Sequence, residues 1–163
     1  MRGSGTGYTI LRPSLIFGPG DGFFTLVAKL VRLNPVVPIP GDGASLFQPM
    51  SIDDVVRCHL LTLQRGPNNR VHEIGGPEHL TYEEIVRTVK QALGVHRKLV
   101  HVPVRMLLPP AFVMAALLKR PPVTPQQLKL LDKNNITRID AVLREFGFQP
   151  ERFADSAGYL EDY

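Results

Sequence analysis

Residues 8–22, YTILRPSLIFGPGDG, decide how the rest of the chain is read. Tyr8-Thr9-Ile10-Leu11 is β-branched and aromatic with no charge, the composition of a strand covered on both faces. Pro13 has no backbone donor and pushes Arg12 toward extended geometry, so regular pairing is predicted to end or bulge there. Gly18, Gly20 and Gly22 then mark a turn. In α/β proteins ligands sit beyond the carboxyl ends of parallel strands, so Ser14 to Gly22 is predicted to line such a crevice.

Downstream, Gly22 to Leu33 carries Phe23, Leu26, Val27, Leu30 and Val31 at helical spacing, and Pro35 stops it. Val36 to Ile39 is a short extended piece, and Pro40-Gly41-Asp42-Gly43 is a turn. Phe47 to Ile52 reads as one short strand, confined by Pro49 to an edge or bulge. Ser51 or Asp53 caps a helix over 54–64 whose many apolar residues predict that it is largely buried. Val71 to Ile74 is the next strand, ended by Gly75-Gly76-Pro77. Thr81-Tyr82-Glu83-Glu84 is a capping box that opens a helix through Leu93, closed by Gly94. Lys98 to Val102 is a strand. Helices follow near 105–118, 125–132, 139–146 and 152–160, so the chain is α/β in front (1–103) and mainly helical behind (104–163).

A chain of 163 residues buries roughly two thirds of its unfolded surface if compact, which makes one domain the expectation. Net charge is +4, yet the Lys and Arg residues are scattered with no concentrated stripe, which argues against nucleic acid as a partner. Cys58 is the single cysteine; it excludes an intrachain disulfide and fits a reducing cytoplasm. No run of 18 apolar residues occurs, so no membrane span is expected. Ala111 to Leu118 is too short to cross a bilayer and reads as a core helix or a membrane-surface helix.

Two or three buried strands make a poor parallel sheet, and a strand as apolar as Tyr8 to Leu11 needs neighbours on both sides. The expectation is a carboxyl-terminal portion of a longer protein. YTILRPSLIFGPGDG, FQPMSIDDVVRCHL and VHEIGGPEHLTYEEIV, in that order, resemble the carboxyl half of extended and atypical short-chain dehydrogenases of the NAD-dependent epimerase/dehydratase type. PPVTPQQLKLLDKNN, LREFGF and YLEDY add a likeness to the branch with the dehydrogenase-like accessory subunit of respiratory complex I (NADH:ubiquinone oxidoreductase). The resemblance implies late strands of a doubly wound, Rossmann-like sheet plus a helix-rich lobe for substrate or partner, without the amino-terminal dinucleotide-binding half. It also implies NAD or NADP in the full-length parent, with none expected for this chain alone.

Two hallmarks of those enzymes are missing from the sequence. The G-x-x-G-x-x-G turn that seats a pyrophosphate is absent, and Gly18, Gly20 and Gly22 read as turn residues. No Tyr-x-x-x-Lys pair exists either: Tyr8 is followed four places on by Arg12, Tyr82 by Val86 and Tyr159 by Tyr163. No catalytic residue is therefore assigned, and no metal site, since the five histidines lack ligand spacing.

The resemblance places Pro13, Ser14, Leu15, Ile16, Phe17 and Gly18 in the loop that closes over the nicotinamide; the other reading is a strand exit that only packs. Gln48 is either a group near substrate or a solvent-exposed edge glutamine. Arg12 needs an acid, solvent or a substrate anion. Three functions stay open: a nucleotide-binding accessory-subunit-like protein without turnover, the substrate lobe of an active reductase, epimerase or dehydratase, and a module docking on a subunit or membrane through 104–118. Uncovered strands predict self-association or a protein partner, such as the missing half.

Overall fold

The computed structural model describes residues 6–107, 109 and 134–163; the helices expected over 111–118 and 125–132 lie outside them. The fold is α/β, with parallel strand pairs joined through helices. Its elements are β1 (Thr9–Pro13), β2 (Leu15–Phe17), α1 (Phe23–Leu33), β3 (Val36–Pro40), β4 (Leu46–Phe47), β5 (Pro49–Ser51) and α2 (Ile52–Arg65). Then come β6 (Arg70–Ile74), β7 (Leu80–Thr81), α3 (Tyr82–Ala92), β8 (Lys98–Val102), α4 (Ala141–Phe146), α5 (Phe153–Ser156) and a 3₁₀ helix at Ala157–Asp162.

β1 runs through Pro13 and ends there. It pairs in parallel with β6 from Thr9↔Arg70 to Pro13↔Ile74, and the Ser14 N–H donates to Ile74 O at 2.9 Å. The chain then continues as β2, parallel to β5, with Leu15 opposite Pro49. Pro13 is tolerated because the next donor, on Ser14, closes the ladder. The strand is also less buried than its composition predicts: Thr9, Ile10 and Leu11 are half-buried, and Arg12 and Pro13 are exposed. The reason is that β1 has one strand neighbour among the described residues, β6, where covering it would take two.

The segment read as one strand over Phe47 to Ile52 is two strands broken at Gln48. β4 pairs antiparallel with β7, and β5 pairs with β2. Between them Gln48 turns fully inward, so its reading as an exposed edge residue fails. The Gln48 amide donates through Nε2 to Gly76 O at 2.7 Å and accepts at Oε1 from Thr137 N–H at 2.6 Å. This satisfies a buried polar group with backbone partners, which is what interior burial requires. Gly75 and Gly76 make the approach fit: a Cβ on Gly76 would stand 1.7 Å from Pro49 O, and one on Gly75 2.5 Å from the Gln48 carboxamide carbon.

Two apolar clusters organise the packing. One joins α1, β3 and α3 with Phe17, Phe47, Phe153 and Leu160, and there Phe17 meets Phe24 and Phe153 edge-on at ring-centre separations of 6.0 and 5.2 Å. The other joins Met50, Val55, Cys58 and Ile74 with Val142, Phe146 and Phe148. The Thr81–Glu84 capping box forms as read, with both reciprocal bonds present. Ser51 caps α2 by accepting from the Asp53 N–H. That helix is not largely buried: Asp54, Val55 and Cys58 are, whereas Val56, Leu60 and Leu63 are 48%, 54% and 77% exposed. Its apolar residues form two faces, and only one meets the sheet.

Replacing Gln48 with Ala orphans two buried backbone groups and leaves a void; a loss of about 2–4 kcal/mol in denaturant unfolding is expected. Burial and, second, Asp54 push the Cys58 thiol up to about 11, and burial pushes the Tyr82 phenol up to about 12. In the unfolded chain these groups ionise near 9.0 and 10.0, so the unfolded state loses its protons first as pH rises. Stability is therefore expected to be full below about pH 9 and to fall from there to about pH 12. Tyr82→Phe should flatten the upper part of that decline in urea titrations at stepped pH.

Candidate functional site

The crevice predicted beyond β1 is bounded by Arg12 to Gly18, by the turn 18–22 and by the β5–α2 junction. Pro13 is exposed and Ser14 half-buried, its hydroxyl donating to Gln48 O. Leu15 and Ile16 are half-buried strand residues that pack against the two clusters, and Phe17 is 1% exposed. Gly18 holds φ +145°, and a Cβ there would stand 2.5 Å from Ile52 Cγ2, so glycine is required for β2 to pass α2. Arg12 reaches solvent beside Glu73 in the neighbouring strand, with no carboxylate within 4.0 Å of its guanidinium among the described residues. Within the expected cofactor set, Pro13 is thus exposed, Ser14, Leu15 and Ile16 are half-buried, and Phe17 and Gly18 are held in the interior; of the expected substrate groups, Arg12 is exposed and Gln48 buried.

The turn after β2 is fixed by its own carboxylate. Asp21 Oδ1 accepts from the N–H groups of Phe24 and Thr25 at 2.6 and 3.3 Å, closing the amino end of α1. Its Oδ2 accepts from the Tyr159 hydroxyl at 2.6 Å, and the Gly20 N–H donates to the Tyr163 hydroxyl oxygen at 2.9 Å. Burial first, and then the Asp21 hydrogen bond, push the Tyr159 phenol far above its usual range, so it remains a donor.

This arrangement bears on a dinucleotide. A pyrophosphate needs open N–H groups and positive potential at a helix start. Here α1 begins on Asp21, α2 on Asp53 and Asp54, and α3 on Glu83 and Glu84. None of the three fits a phosphate, so Gly18, Gly20 and Gly22 are turn residues, as read.

Asp54 shows why an acidic pair at a helix start need not be a ligand site. It is buried and accepts from the Glu151 N–H at 2.8 Å, tying α2 to the segment before α5. Desolvation raises its pKa against the lowering effect of that hydrogen bond. Among the described residues no three His, Cys, Asp or Glu side chains gather to hold a metal. No helix among them is long and apolar enough to cross a membrane.

A cleft of about 250 Å³ opens at the other end of β1 and β6, lined by Thr9, Thr62, Arg65, Asn68, Arg70, His72 and Glu145. His72 Nδ1 lies 3.1 Å from Glu145 Oε2, and its Nε2 lies 2.8 Å from Asn68 Nδ2. Asn68 Oδ1 is already accepting from Arg70 N–H and the Thr9 hydroxyl, so its amide nitrogen faces the ring. Neutral His72 therefore carries its proton on Nδ1, toward Glu145. Sequence reasoning missed this group because its members are spread from residue 9 to residue 145.

Residues 1–75 match the NAD dependent epimerase/dehydratase family. The match ends at Gly75, just past β6, and so takes in the β1–β6 and β2–β5 pairs. The uncharacterised protein YbjS of Escherichia coli is 28% identical over 172 residues, covering 97% of this chain and 51% of its own length. Subunit 9 of the NADH dehydrogenase [ubiquinone] 1 alpha subcomplex from Arabidopsis thaliana is 28% identical over 79 residues, 47% of this chain and 20% of that protein. The UDP-glucose 4-epimerase of Thermotoga maritima, solved with UDP-glucose, superposes with a TM-score of 0.66 at 21% identity over 99% of this chain and 47% of that one. That likeness shows the fold. The chain spans about half the length of these longer proteins or less.

Tyr159→Phe deletes the hydroxyl that holds Asp21. Faster protease cleavage at Gly18 to Gly22 is the expected result, by roughly 5-fold for the loss of one charge-assisted bond of about 1 kcal/mol. Limited proteolysis followed by mass spectrometry measures it.

Proposed function

We propose that this chain is the substrate- or partner-binding lobe of a nucleotide-binding, epimerase/dehydratase-like protein akin to the complex I accessory subunit, and that it does not turn over NAD(P)H alone. The observation that carries the reading is the β1–β2 strand. It pairs along one edge with β6 and then β5 and presents Pro13 and Ser14 at its exposed bend, where a nicotinamide ring could rest. The carboxylate-closed helix starts leave the phosphates of NAD or NADP to be held by another part of the protein. Arg12 and Glu73, exposed beside that bend, are the groups placed to meet a polar substrate.

The partner of the lobe is the half that carries the phosphate site. The open edge of β1 and the exposed Val56, Leu60 and Leu63 stripe of α2 form the surface on which it docks, with a second copy as the substitute when that half is absent. The proposed location is the cytoplasm, consistent with one buried, unpaired cysteine. A second reading, the substrate lobe of an active reductase, epimerase or dehydratase, draws on the family match of residues 1–75.

The purified chain is expected to show neither NADH nor NADPH oxidation and no heat of NADPH binding by calorimetry. Turnover by the chain alone would overturn the first reading. Light scattering is expected to show concentration-dependent self-association that Leu60→Glu with Leu63→Glu abolishes; a monomer at all concentrations would remove the docking surface.

A further inference from the structure

Away from the crevice, β3 and β8 form a two-stranded parallel sheet in which Val36 is opposite Lys98 and Pro38 opposite Val100. Strand alternation sends Val37 and Ile39 into the core, both at most 1% exposed, and turns Val36, Pro38, Lys98 and Val100 outward. Val36 and Val100 stand open on this face at 42% and 46% exposure, and Leu33 and Met106, at 80% and 63%, are exposed just before β3 and just after β8. Three cations come with them. Lys98 sits in the sheet itself, Arg105 follows β8, and Arg97 donates to the carbonyls of Val31 and Arg32, which brings β8 and the end of α1 together.

Carboxylates are missing from both segments that build the face. None occurs from Gly22 to Gly41, and none between Glu84 and Asp132. The flanking acids are occupied: Asp21 closes α1 and Asp42 accepts from Ala44 N–H. A solvated protein surface ordinarily mixes signs and scatters its apolar residues singly.

We propose that the outer face of β3 and β8 docks on the surface of an anionic phospholipid bilayer. Val36 and Val100, with Leu33 and Met106 at the two ends of the face, enter the headgroup boundary while Lys98 and Arg105 meet the lipid phosphates and carboxylates. Apolar side chains ringed by cations are what such an interface selects. The chain lies on the membrane through a sheet face formed by residues 33–38 and 98–106, and this holds whether or not the protein binds a nucleotide.

The test is vesicle flotation of the whole chain, comparing phosphatidylcholine with phosphatidylcholine containing roughly 30% phosphatidylserine, an anionic surface of the strength that attracts basic segments. The chain is expected to float with the anionic vesicles alone and to be released by salt. Lys98→Gln with Arg105→Gln should weaken partitioning about 30-fold, two cations' worth of attraction. Leu33→Ser with Met106→Ser should weaken it too, whereas Arg144→Gln on α4 should not, with unchanged thermal unfolding showing that each variant folds. Equal retention on neutral vesicles, no flotation, or an unaffected Lys98/Arg105 double variant would overturn the proposal. So would tighter binding to duplex DNA than to anionic vesicles at the same salt.

Discussion

The Gln48 carboxamide, fully removed from solvent, donates to Gly76 O and accepts from Thr137 N–H, so one side chain holds three stretches of backbone at fixed distances. Everything around the crevice depends on it. The β1–β2 strand changes partner from β6 to β5 beside this residue, and the Ser14 hydroxyl donates to its carbonyl. Residues 134–138 run alongside: Asn134 accepts from Leu46 N–H, and Asn135 N–H donates to Leu46 O. From there the chain enters α4, which packs on β6. An apolar residue at position 48 could fill the space but would leave two buried backbone groups without partners.

What was legible in the sequence was local. The Thr81–Glu84 box needs only groups three residues apart, and it forms as read. The strands at 71–74 and 98–102 were likewise set by short apolar runs between turn residues. Gln48 was illegible because its partners lie 28 and 89 residues away. The two faces of α2 were illegible for another reason: periodicity shows which residues are apolar, not which of them another element will cover. Val36 and Lys98 are far apart along the chain, and only β3–β8 pairing sets them side by side.

The carboxylates at the helix starts set the electrostatics of the candidate site. Helix starts are the natural seats for anions, and here Asp21, Asp53, Asp54, Glu83 and Glu84 occupy all three long ones. The glycine turn after β2 is correspondingly a shape requirement, set by the close pass of Gly18 over Ile52.

The tail that clasps this turn also bears on the order in which the protein can assemble during its synthesis. Tyr159 and Tyr163 grip residues 20–21, Arg32 donates to the Glu161 carbonyl, and Phe153 and Leu160 complete the cluster around α1. Contacts that span more than 120 residues cannot form until residues 159–163 have left the ribosome. Phe17 and Phe24 must therefore wait for the tail to cover them, and closure of the cluster around α1 is a late event of high contact order.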